Sequence, residues 1–548
     1  MLSLHLDPAI MAHFAPHLDR LGELAGDRLD DFAMQSDKHG PILHYRDRFG
    51  RDQDWIEYHS SYREMEKIAY GEFGMHAMSR RAGVLNWPDI APPLIKYALN
   101  YLFAQSEFGL LCPVSATDTS ALLIQNYASD EIKARYLPRM LTQNMDDLLR
   151  GAQFMTEKAG GSDVSRSALA ARKSGDHWEL WGDKWFCSCA DSEVVLLLAR
   201  CEGAGPGNRG LSLFLMPRTL DDGSRNRYRL VRLKEKLGSR SMASGEAVME
   251  GATAYLLGQP GRGLKQMMDQ VNLCRLSHGF RAAGMMRRCV NESFQVAKNR
   301  VTFGRRLVEH PLARRQLMKL LLPAEQALSV GAAAAMALAN GNKGVLRILT
   351  PLVKYRACRD NVKVATAAME MRGGNGFIED WCNAKLVRDA HLGVLWEGTS
   401  SVNAIDILRR AVGKERAHLA LSRDLQDRLN KAPIPGQFRG QLSRLVDRAV
   451  DFADQVSANA SAESSYRKAA SSLYHAVSAA LLASEGARLG ASHGDARRLL
   501  LSRLVVDFRL GRDDPFSVAN DGWEDRMFDA IIGEELVSLD AASELLSA

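Results

Sequence analysis

Cysteine is scarce in this chain, with eight residues among 548, and none of them forms a Cys-x-x-Cys pair. This scarcity excludes a disulfide scaffold and a zinc module, and it is typical of a reducing compartment. Low-complexity tracts are also absent, which excludes collagen-like, mucin-like and mainly disordered chains. With 46% hydrophobic and 25% charged residues, the composition predicts a globular protein of roughly three or four domains.

Long hydrophobic runs are absent as well. Residues 1–14 lack a basic stretch followed by an apolar one, so they do not resemble a leader sequence. The longest uncharged stretch, near residues 327–339, is Ala-rich and too short to span a bilayer. We therefore expect a cytoplasmic protein without a membrane partner.

The chain has only a mild excess of positive charge, with 71 Lys and Arg against 65 Asp and Glu. The excess lies before residue 411, because the last 138 residues carry 17 basic and 20 acidic side chains. A net charge of +6 does not by itself indicate nucleic acid. Any surface that binds a polyanion therefore need not lie on the C-terminal region.

Hydrophobic periodicity divides the chain into helical and strand-rich regions. Spacings of three and four predict helices over Tyr62–Tyr70, Pro92–Leu111 and Ser120–Leu141, with breaks at Asn86-Trp-Pro and Cys112-Pro. A period of two or a short apolar run predicts strands over His177–Trp181, Val194–Ala199, Leu211–Met216 and Gly245–Leu257. Helical spacing returns after Gly263, and a polar break at 431–436 precedes a last helical block from Phe438 to about Leu510.

These patterns predict an α+β, mostly helical protein with four domains. The N-terminal helical domain spans 1–150, and a strand-rich middle domain spans 151–264. A second helical domain spans 265–430, and an additional C-terminal helical domain spans 431–548.

Familiar nucleotide and metal motifs do not fit this layout. The Gly-rich stretch 203–210 is superficially similar to a dinucleotide loop, but it joins two predicted strands, and no helix follows to receive a pyrophosphate. Cys187 and Cys189 lie in one predicted strand, and no metal role is assigned to them. No metal site is predicted.

Two segments of the strand-rich region combine residues that suit a flat or anionic ligand. The first, Met155–Asp163, is rich in small and hydroxyl residues, which allows backbone N–H groups to approach a ligand closely. The second, Lys184–Ser188, places aromatic rings and a hydroxyl on a strand. Taken separately, the first is also compatible with a plain turn and the second with sheet core.

A third segment, Trp396–Ser401, precedes a predicted helix whose apolar residues Val402, Ile405 and Leu408 follow the helical period. It places Glu397 just outside the N-terminus of that helix. A carboxylate at this position is commonly an electrostatic cap, so a chemical role needs further support.

Together these segments resemble the acyl-CoA dehydrogenase family in order and spacing, over about 400 of the 548 residues. The matching motifs are Met155–Asp163, Gly182-Asp-Lys-Trp-Phe-Cys-Ser, Lys236-Leu-Gly-Ser-Arg-Ser, Arg300-Val-Thr-Phe-Gly, Arg372-Gly-Gly-Asn-Gly-Phe, Arg388-Asp and Trp396-Glu-Gly-Thr. Within the family, Cys112-Pro with Thr117, the Thr-Glu-Lys form of the first loop and the extra block after residue 430 are most similar to the AidB-like branch, named for a bacterial alkylation-response protein.

The resemblance implies an acyl-CoA dehydrogenase-like fold, with a helical N-terminal domain, a middle β-barrel, a helical bundle and the extra helical domain. It also implies FAD bound noncovalently between barrel and bundle, and a homo-oligomer, usually a tetramer. The implied cofactor contacts are Met155 and Thr156 at the pyrimidine edge, Phe186 against the ring, Ser188 at N5, Thr399 and Ser401 on the chain's own FAD, and Arg300, Phe303, Gly373 and Gly374 on a neighbouring subunit's FAD. Ser162 and Arg275 match positions along the thioester and CoA path.

Glu397 matches the family's catalytic base. The implied reaction removes the α-proton of an acyl-CoA, passes the β-hydride to flavin N5 and yields a trans-2-enoyl-CoA. Such a base must be a single carboxylate in a dry pocket, where burial brings its pKa toward working pH. Cys274, where some relatives place an alternative Glu, is no acid, so Glu397 has no competitor.

The resemblance leaves partners and function open in two respects. It implies an electron-transfer flavoprotein as electron acceptor, although an oxidase that uses oxygen shares the motifs. The AidB-like branch also suggests an alternative, a flavin-containing DNA-binding protein of the alkylation response with little turnover, for which Arg497, Arg498 and Arg503 are candidate contacts. Pro311 and Glu370 depart from the usual residues at the adenine end of the cofactor, and Ser401 is shorter than the usual acid or amide.

Overall fold

The computed structural model describes residues 1–511 and 523–547. These residues form two compact units, one of residues 17–277 and one that combines residues 1–16 with the chain from 278 onward. The first unit contains the strand-rich region, and the second is almost entirely helical.

The first 150 residues are mostly helical, as predicted, but they include one β-hairpin. Their elements are α1 (Pro8–Gly26), α2 (Arg28–Lys38), β1 (Ile42–Arg46), β2 (Asp52–Glu57), α3 (Ser60–Glu66), α4 (Pro93–Phe103), α5 (Leu111–Tyr127) and α6 (Asp130–Met140). The hairpin β1–β2 was not predicted, because both strands are polar and largely exposed and lack a clear alternation.

The predicted helix break at Cys112-Pro is wrong. The break lies earlier, at 104–110, and α5 runs through Pro113. Pro113 is the third residue of α5, where a backbone N–H has no partner within the helix, so proline costs little there. The helix predicted over 120–141 is two helices, α5 and α6, separated by a break at 128–129.

The middle of the chain forms a closed β-barrel. Its strands are β3 (Gly151–Phe154), β4 (Ala170–Ser174), β5 (His177–Ser188), β6 (Val194–Cys201), β7 (Leu211–Pro217), β8 (Tyr228–Leu233) and β9 (Ser244–Leu257). The hydrogen-bonded order β6-β4-β5-β9-β7 closes on itself through the β6–β7 pair, while β3 adds to β6 and β8 adds to β9. The strands predicted at 177, 194, 211 and 245 are therefore confirmed, and the barrel implied by the resemblance is present.

Two apolar strands explain why the barrel closes. All seven residues of β7 are buried, as are the first six of β6, so both strands must be covered on both faces. Their core includes Leu196, Leu198 and Leu213 from the barrel together with Ile124 of α5 and Met140 of α6. The loop at 202–210 joins β6 to β7 directly, with only a short 3-10 turn between them.

A buried ion pair joins the start of the barrel to its long strand. Lys184 of β5 donates to the Glu157 carboxylate at 2.7 Å, and both side chains are shielded from solvent. Glu157 also accepts the Ala168 N–H at 2.6 Å. Burial lowers the pKa of Lys184, and the adjacent Glu157 carboxylate opposes that shift. Each charge thus depends on the other for compensation.

The second unit is a helical assembly that the sequence predicts as far as residue 510. Its elements are α7 (Gly263–Asn299, which begins in the first unit), β10 (Val301–Thr302), β11 (Arg305–Arg306), α8 (Pro311–Ala339), α9 (Lys343–Arg372), α10 (Cys382–Gly393), α11 (Ser400–Ile405), α12 (Ala417–Lys431), α13 (Gly436–Ala458), α14 (Tyr466–His493), α15 (Arg497–Val505), α16 (Trp523–Ile532) and α17 (Leu539–Ser547). The last two helices lie beyond the predicted block.

Helix α8 is a core helix. It is long and apolar enough to cross a membrane by length and composition, but 89% of its most apolar window is buried within the protein. Its polar residues Glu325 and Ser329 contact Arg498 of α15, which also pairs with Glu485 of α14 at 2.9 Å. A single guanidinium thus connects three helices of this unit.

Breaking the Lys184–Glu157 pair should strongly destabilise the protein. We expect Lys184→Met to lower the free energy of unfolding by about 3–5 kcal/mol, because it leaves the Glu157 carboxylate buried without its cation. Lys158→Met is the matched control, since Lys158 is an exposed lysine paired with Asp183 and should cost less than about 1 kcal/mol. Urea unfolding of the purified proteins measures both, and equal losses would contradict the role of the buried pair.

Candidate functional site

The loop Met155–Asp163 is held by its neighbours in the barrel. The Thr156 carbonyl accepts the Trp185 N–H at 2.8 Å, and the Met155 carbonyl accepts Lys184 Nζ at 3.3 Å. Glu157 and Gly160 exchange two backbone hydrogen bonds of 3.1 Å and close a tight turn. A Cβ at Gly160 would lie 2.4 Å from the Asp163 carbonyl oxygen, so this position requires glycine. Hydrogen bonds therefore fix the backbone of this loop.

A β-bulge in β5 exposes the aromatic residue of the second segment. Between Lys184 and Cys187, β5 advances three residues while its partner β9 advances two. Such an extra residue re-aims side chains, and the Phe186 ring is 51% exposed, with Lys234 Nζ 5.1 Å from its centroid. Ser188 ends the strand and pairs with Ser244. The structure therefore places Met155, Thr156, Phe186 and Ser188 on two adjoining segments of one unit.

Cys189 lies beyond the strand, contrary to the sequence prediction. Strand β5 ends at Ser188, and Cys189 has a left-handed backbone with φ of 54°. Both Cys187 and Cys189 are buried, and burial raises the pKa of each thiol. Across residues 1–511 and 523–547, no group of three or more His, Cys, Asp or Glu side chains is arranged to hold a metal ion.

The two residues expected along the substrate path differ in exposure. Ser162 is exposed on the Met155–Asp163 loop. Arg275 lies on α7, is only 4% exposed, and contacts Asn272 Oδ1 at 3.4 Å. Cys274 packs beside Thr119, with 3.6 Å between Sγ and Oγ1.

The loop 394–399 presents Glu397 in a strained conformation. Glu397 has φ of 53°, a left-handed value that costs a non-glycine residue about 1–2 kcal/mol, and Gly398 follows at φ of 92°. The N-cap of α11 is Thr399, whose Oγ1 accepts the Val402 N–H at 3.4 Å. The side-chain cap of α11 is therefore Thr399 rather than Glu397.

Buried side chains hold this loop in place. Lys354 of α9 donates from Nζ to the Gly398 carbonyl at 2.7 Å, and Asn403 Nδ2 donates to the same carbonyl at 2.6 Å. The indole of Trp396 meets the His278 ring edge-on at a centroid distance of 4.5 Å. Neither Lys354 nor Asn403 was predicted from the sequence. Lys354 could have been recognised as a lysine at an otherwise apolar position of a predicted core helix.

A third group of predicted residues lies elsewhere in the helical unit. Arg300 Nη1 donates to the Arg372 carbonyl at 3.0 Å, and a Cβ at Gly373 would lie 3.2 Å from Nη1. Gly373 has φ of 74° and ends α9, and a Cβ at Gly374 would meet nothing within 4 Å. Phe303, at the tip of the β10–β11 hairpin, is 98% exposed. The structure thus brings Arg300 and Gly373 together. The space next to the Gly374 Cα is unoccupied by other protein atoms, and the Phe303 side chain is exposed to solvent.

The residues that depart from the family pattern have ordinary structural positions. Pro311 is the first residue of α8, a favoured place for proline. Glu370 is exposed in the last turn of α9, and its carbonyl accepts the Gly373 N–H. Ser401 lies in the first turn of α11, next to the capping Thr399.

Comparison with known domain families covers most of the chain. Residues 2–147 match the adaptive response protein AidB N-terminal domain, residues 152–252 the acyl-CoA dehydrogenase middle domain, and residues 261–412 the acyl-CoA dehydrogenase C-terminal domain. The extra C-terminal helices lie outside these three matches.

Individual relatives agree with these matches. Acyl-CoA dehydrogenase family member 11 of Caenorhabditis elegans is 28% identical over 459 residues, which are 80% of this chain and 73% of that protein. AidB of Escherichia coli (strain K12) is 32% identical over 426 residues, 75% of this chain and 74% of that protein. The crystal structure of Caenorhabditis elegans ACDH-11 in complex with C11-CoA superposes with a TM-score of 0.86 at 25% identity, covering 93% of this chain and 89% of that one.

The motifs, the closed barrel, the domain matches and the relatives agree with one another. The chain therefore belongs to the acyl-CoA dehydrogenase family of FAD-dependent oxidoreductases, and it resembles the AidB-like branch of that family.

Proposed function

We propose that the protein dehydrogenates an acyl-CoA to a trans-2-enoyl-CoA, with Glu397 as the base that removes the α-proton. The observation that carries this proposal is the loop of Glu397. The structure maintains a strained backbone at this acid, and the side-chain cap of the following helix is Thr399. Strain that the surrounding structure maintains is typical of functional positions.

The proposed reaction requires one group to take a proton while another accepts a hydride. Glu397 supplies a carboxylate oxygen for the α-proton, and its fixed backbone limits where that oxygen can lie. Bound FAD supplies the hydride acceptor. This division leaves no need for a metal ion or a second acid in the chain.

The residues of this chain suit FAD. We assign the flavin to Met155, Thr156, Phe186 and Ser188, since the loop backbone is fixed by Lys184 and Trp185 and the Phe186 ring is exposed. Exposed aromatic rings stack on flat ligands. Thr399 and Ser401 are assigned to the chain's own cofactor, and Arg300, Phe303, Gly373 and Gly374 to the adenine and pyrophosphate half.

The substrate is proposed to be an acyl-CoA whose thioester and CoA portion pass Ser162 and Arg275. Support comes from the buried guanidinium of Arg275 and from ACDH-11, which was crystallised with C11-CoA. We propose an electron-transfer flavoprotein as the electron acceptor, because that is the acceptor which the family resemblance implies. The same resemblance supports a role in fatty acid metabolism, and the scarcity of cysteine supports a cytoplasmic location.

We also propose that the protein is a homo-oligomer, with a tetramer as the favoured state. In the helical unit, Phe303 and Phe377 are 98% and 79% exposed, and Val301 is 64% exposed. The Arg300–Arg372 hydrogen bond makes the two segments that carry these side chains neighbours, and exposed apolar side chains on neighbouring segments are typical of contact surfaces. A neighbouring subunit's cofactor would cover Phe303 and use the open backbone at Gly374.

The alternative function, DNA binding in the alkylation response, is less well supported, because the arginines proposed to contact DNA pair with acidic side chains of the same unit. Arg498 is largely buried and pairs with Glu325 and Glu485, and Arg503 pairs with Asp507 at 2.9 Å. Arg497 pairs more loosely with Asp495 at 3.7 Å. These arginines are compensated within the protein, so they are poor phosphate ligands.

The first prediction of the proposal concerns the cofactor. Purified protein should be yellow and contain one noncovalent FAD per chain, because the loop, strand and glycine motifs form a complete set of contacts. Acid precipitation should release the flavin, and chromatography of the supernatant identifies it. Release of FMN, or a colourless protein that does not take up added FAD, would contradict the proposal.

The second concerns Glu397. Glu397→Gln preserves size and hydrogen bonding but removes the proton acceptor, so FAD content and acyl-CoA binding should persist. Flavin reduction by acyl-CoA should slow by about 100-fold to 10,000-fold, the typical loss for a positioned base. Anaerobic stopped-flow absorbance measures the rate. Glu309→Gln, at an exposed acid of the same unit, is the control, and identical rates in both variants would show that Glu397 is not the base.

The third prediction distinguishes an acyl-CoA dehydrogenase from a DNA-binding protein. We expect duplex binding to be weak and to disappear at physiological salt, because each phosphate contact releases about 0.9 counterion. Acyl-CoA binding should persist at the same salt, since it buries an apolar chain. Arg444→Glu with Arg448→Glu is the sharper charge reversal, because both side chains are exposed on α13, whereas reversal of Arg498 would break buried ion pairs. Tight salt-resistant DNA binding that this double variant abolishes would favour the alternative.

A further inference from the structure

We propose that Lys354 is a positioning residue for the reaction, and that together with Asn403 it holds Glu397 in its reactive conformation through the carbonyl of Gly398. The inference rests on the proposed function, in which Glu397 is the base. It goes further by naming the groups that hold the base.

Two buried donors meet at one carbonyl oxygen. Lys354 is 1% exposed on α9, and its Nζ lies 2.7 Å from the Gly398 oxygen. Asn403 is fully buried on α11, and its Nδ2 lies 2.6 Å from the same oxygen and 3.0 Å from the Thr399 oxygen. A carbonyl that accepts two donors through its two lone pairs has a fixed direction. The peptide between Gly398 and Thr399 is therefore anchored from two helices, α9 and α11.

The loop needs such an anchor because its conformation is unfavourable. Glu397 has φ of 53° and Gly398 has φ of 92°, so the loop sits in a left-handed turn that a free chain would leave. Trp396 is held separately, against the His278 ring at 4.5 Å and below the Arg281 guanidinium at 5.8 Å. With Trp396 packed on one side and Gly398 hydrogen-bonded on the other, Glu397 has little freedom to relax.

The experiment compares two substitutions that separate the hydrogen bond from the charge. Lys354→Met removes both, and Lys354→Gln keeps a donor but removes the charge. Lys385→Met is the control, because Lys385 is a buried lysine of the same unit whose partner is Asp389 at 2.8 Å. For each holoprotein, flavin reduction by acyl-CoA is followed anaerobically against pH, and hydrogen exchange of the peptide covering residues 394–401 is followed by mass spectrometry.

We expect Lys354→Met to lower the maximal rate at least about tenfold, since displacement of a catalytic group by about 1 Å has costs of this order. Residues 394–401 of Lys354→Met should exchange faster than in wild type. Lys354→Gln should recover most of the maximal rate and the slow exchange. Lys385→Met should leave the maximal rate and the exchange of the loop unchanged.

Two results would overturn the inference while the proposed function stands. One is a Lys354→Met profile and loop exchange that match wild type, and the other is a loss that Lys385→Met reproduces in every measurement. Failure of the proposed function looks different, because wild-type flavin would not respond to acyl-CoA or Glu397→Gln would react as fast as wild type. That outcome would overturn the positioning role as well.

Discussion

Buried lysine ammonium groups bonded to backbone carbonyls hold the two loops that carry the proposed site residues. In the barrel, Lys184 reaches the carbonyls of Met155 and Leu198 and the Glu157 carboxylate. In the helical unit, Lys354 reaches the carbonyl of Gly398, next to the proposed base. Lysines are seldom buried, because an ammonium group loses its hydration and must be compensated by hydrogen bonds or charge. Both of these buried lysines contact loops that carry proposed site residues.

Much of the architecture could be predicted from hydrophobic spacing. The barrel strands β6 and β7 are continuous apolar runs, and their burial on both faces makes such runs easy to recognise. The hairpin β1–β2 could not be predicted, since its residues are mostly exposed and polar. The break assigned to Cys112-Pro was wrong, because the consequence of a proline depends on its position in the helix rather than on its presence. Local sequence does not reveal that position when the helix start has no clear cap.

The functional residues were predictable to a different extent. Short motifs identified the Met155–Asp163 loop and Glu397, since the residues of each motif lie close together in the chain. Lys354 and Asn403 were missed because their contacts with Gly398 span 44 and 5 residues and form no motif with it. Charge counts were also a poor guide to surface function. Arg498 looks like a candidate phosphate ligand in the sequence, yet the structure uses it to compensate Glu325 and Glu485 inside the helical unit.

We propose that a loop held in a strained conformation presents Glu397 for removal of an α-proton from an acyl-CoA. Anaerobic mixing of the holoprotein with a panel of saturated acyl-CoA thioesters tests this claim most directly. We expect at least one thioester to bleach the oxidised flavin, and we expect the amount of trans-2-enoyl-CoA formed to equal the amount of flavin reduced. Flavin that stays oxidised with every thioester, in a protein that binds FAD fully, would contradict it.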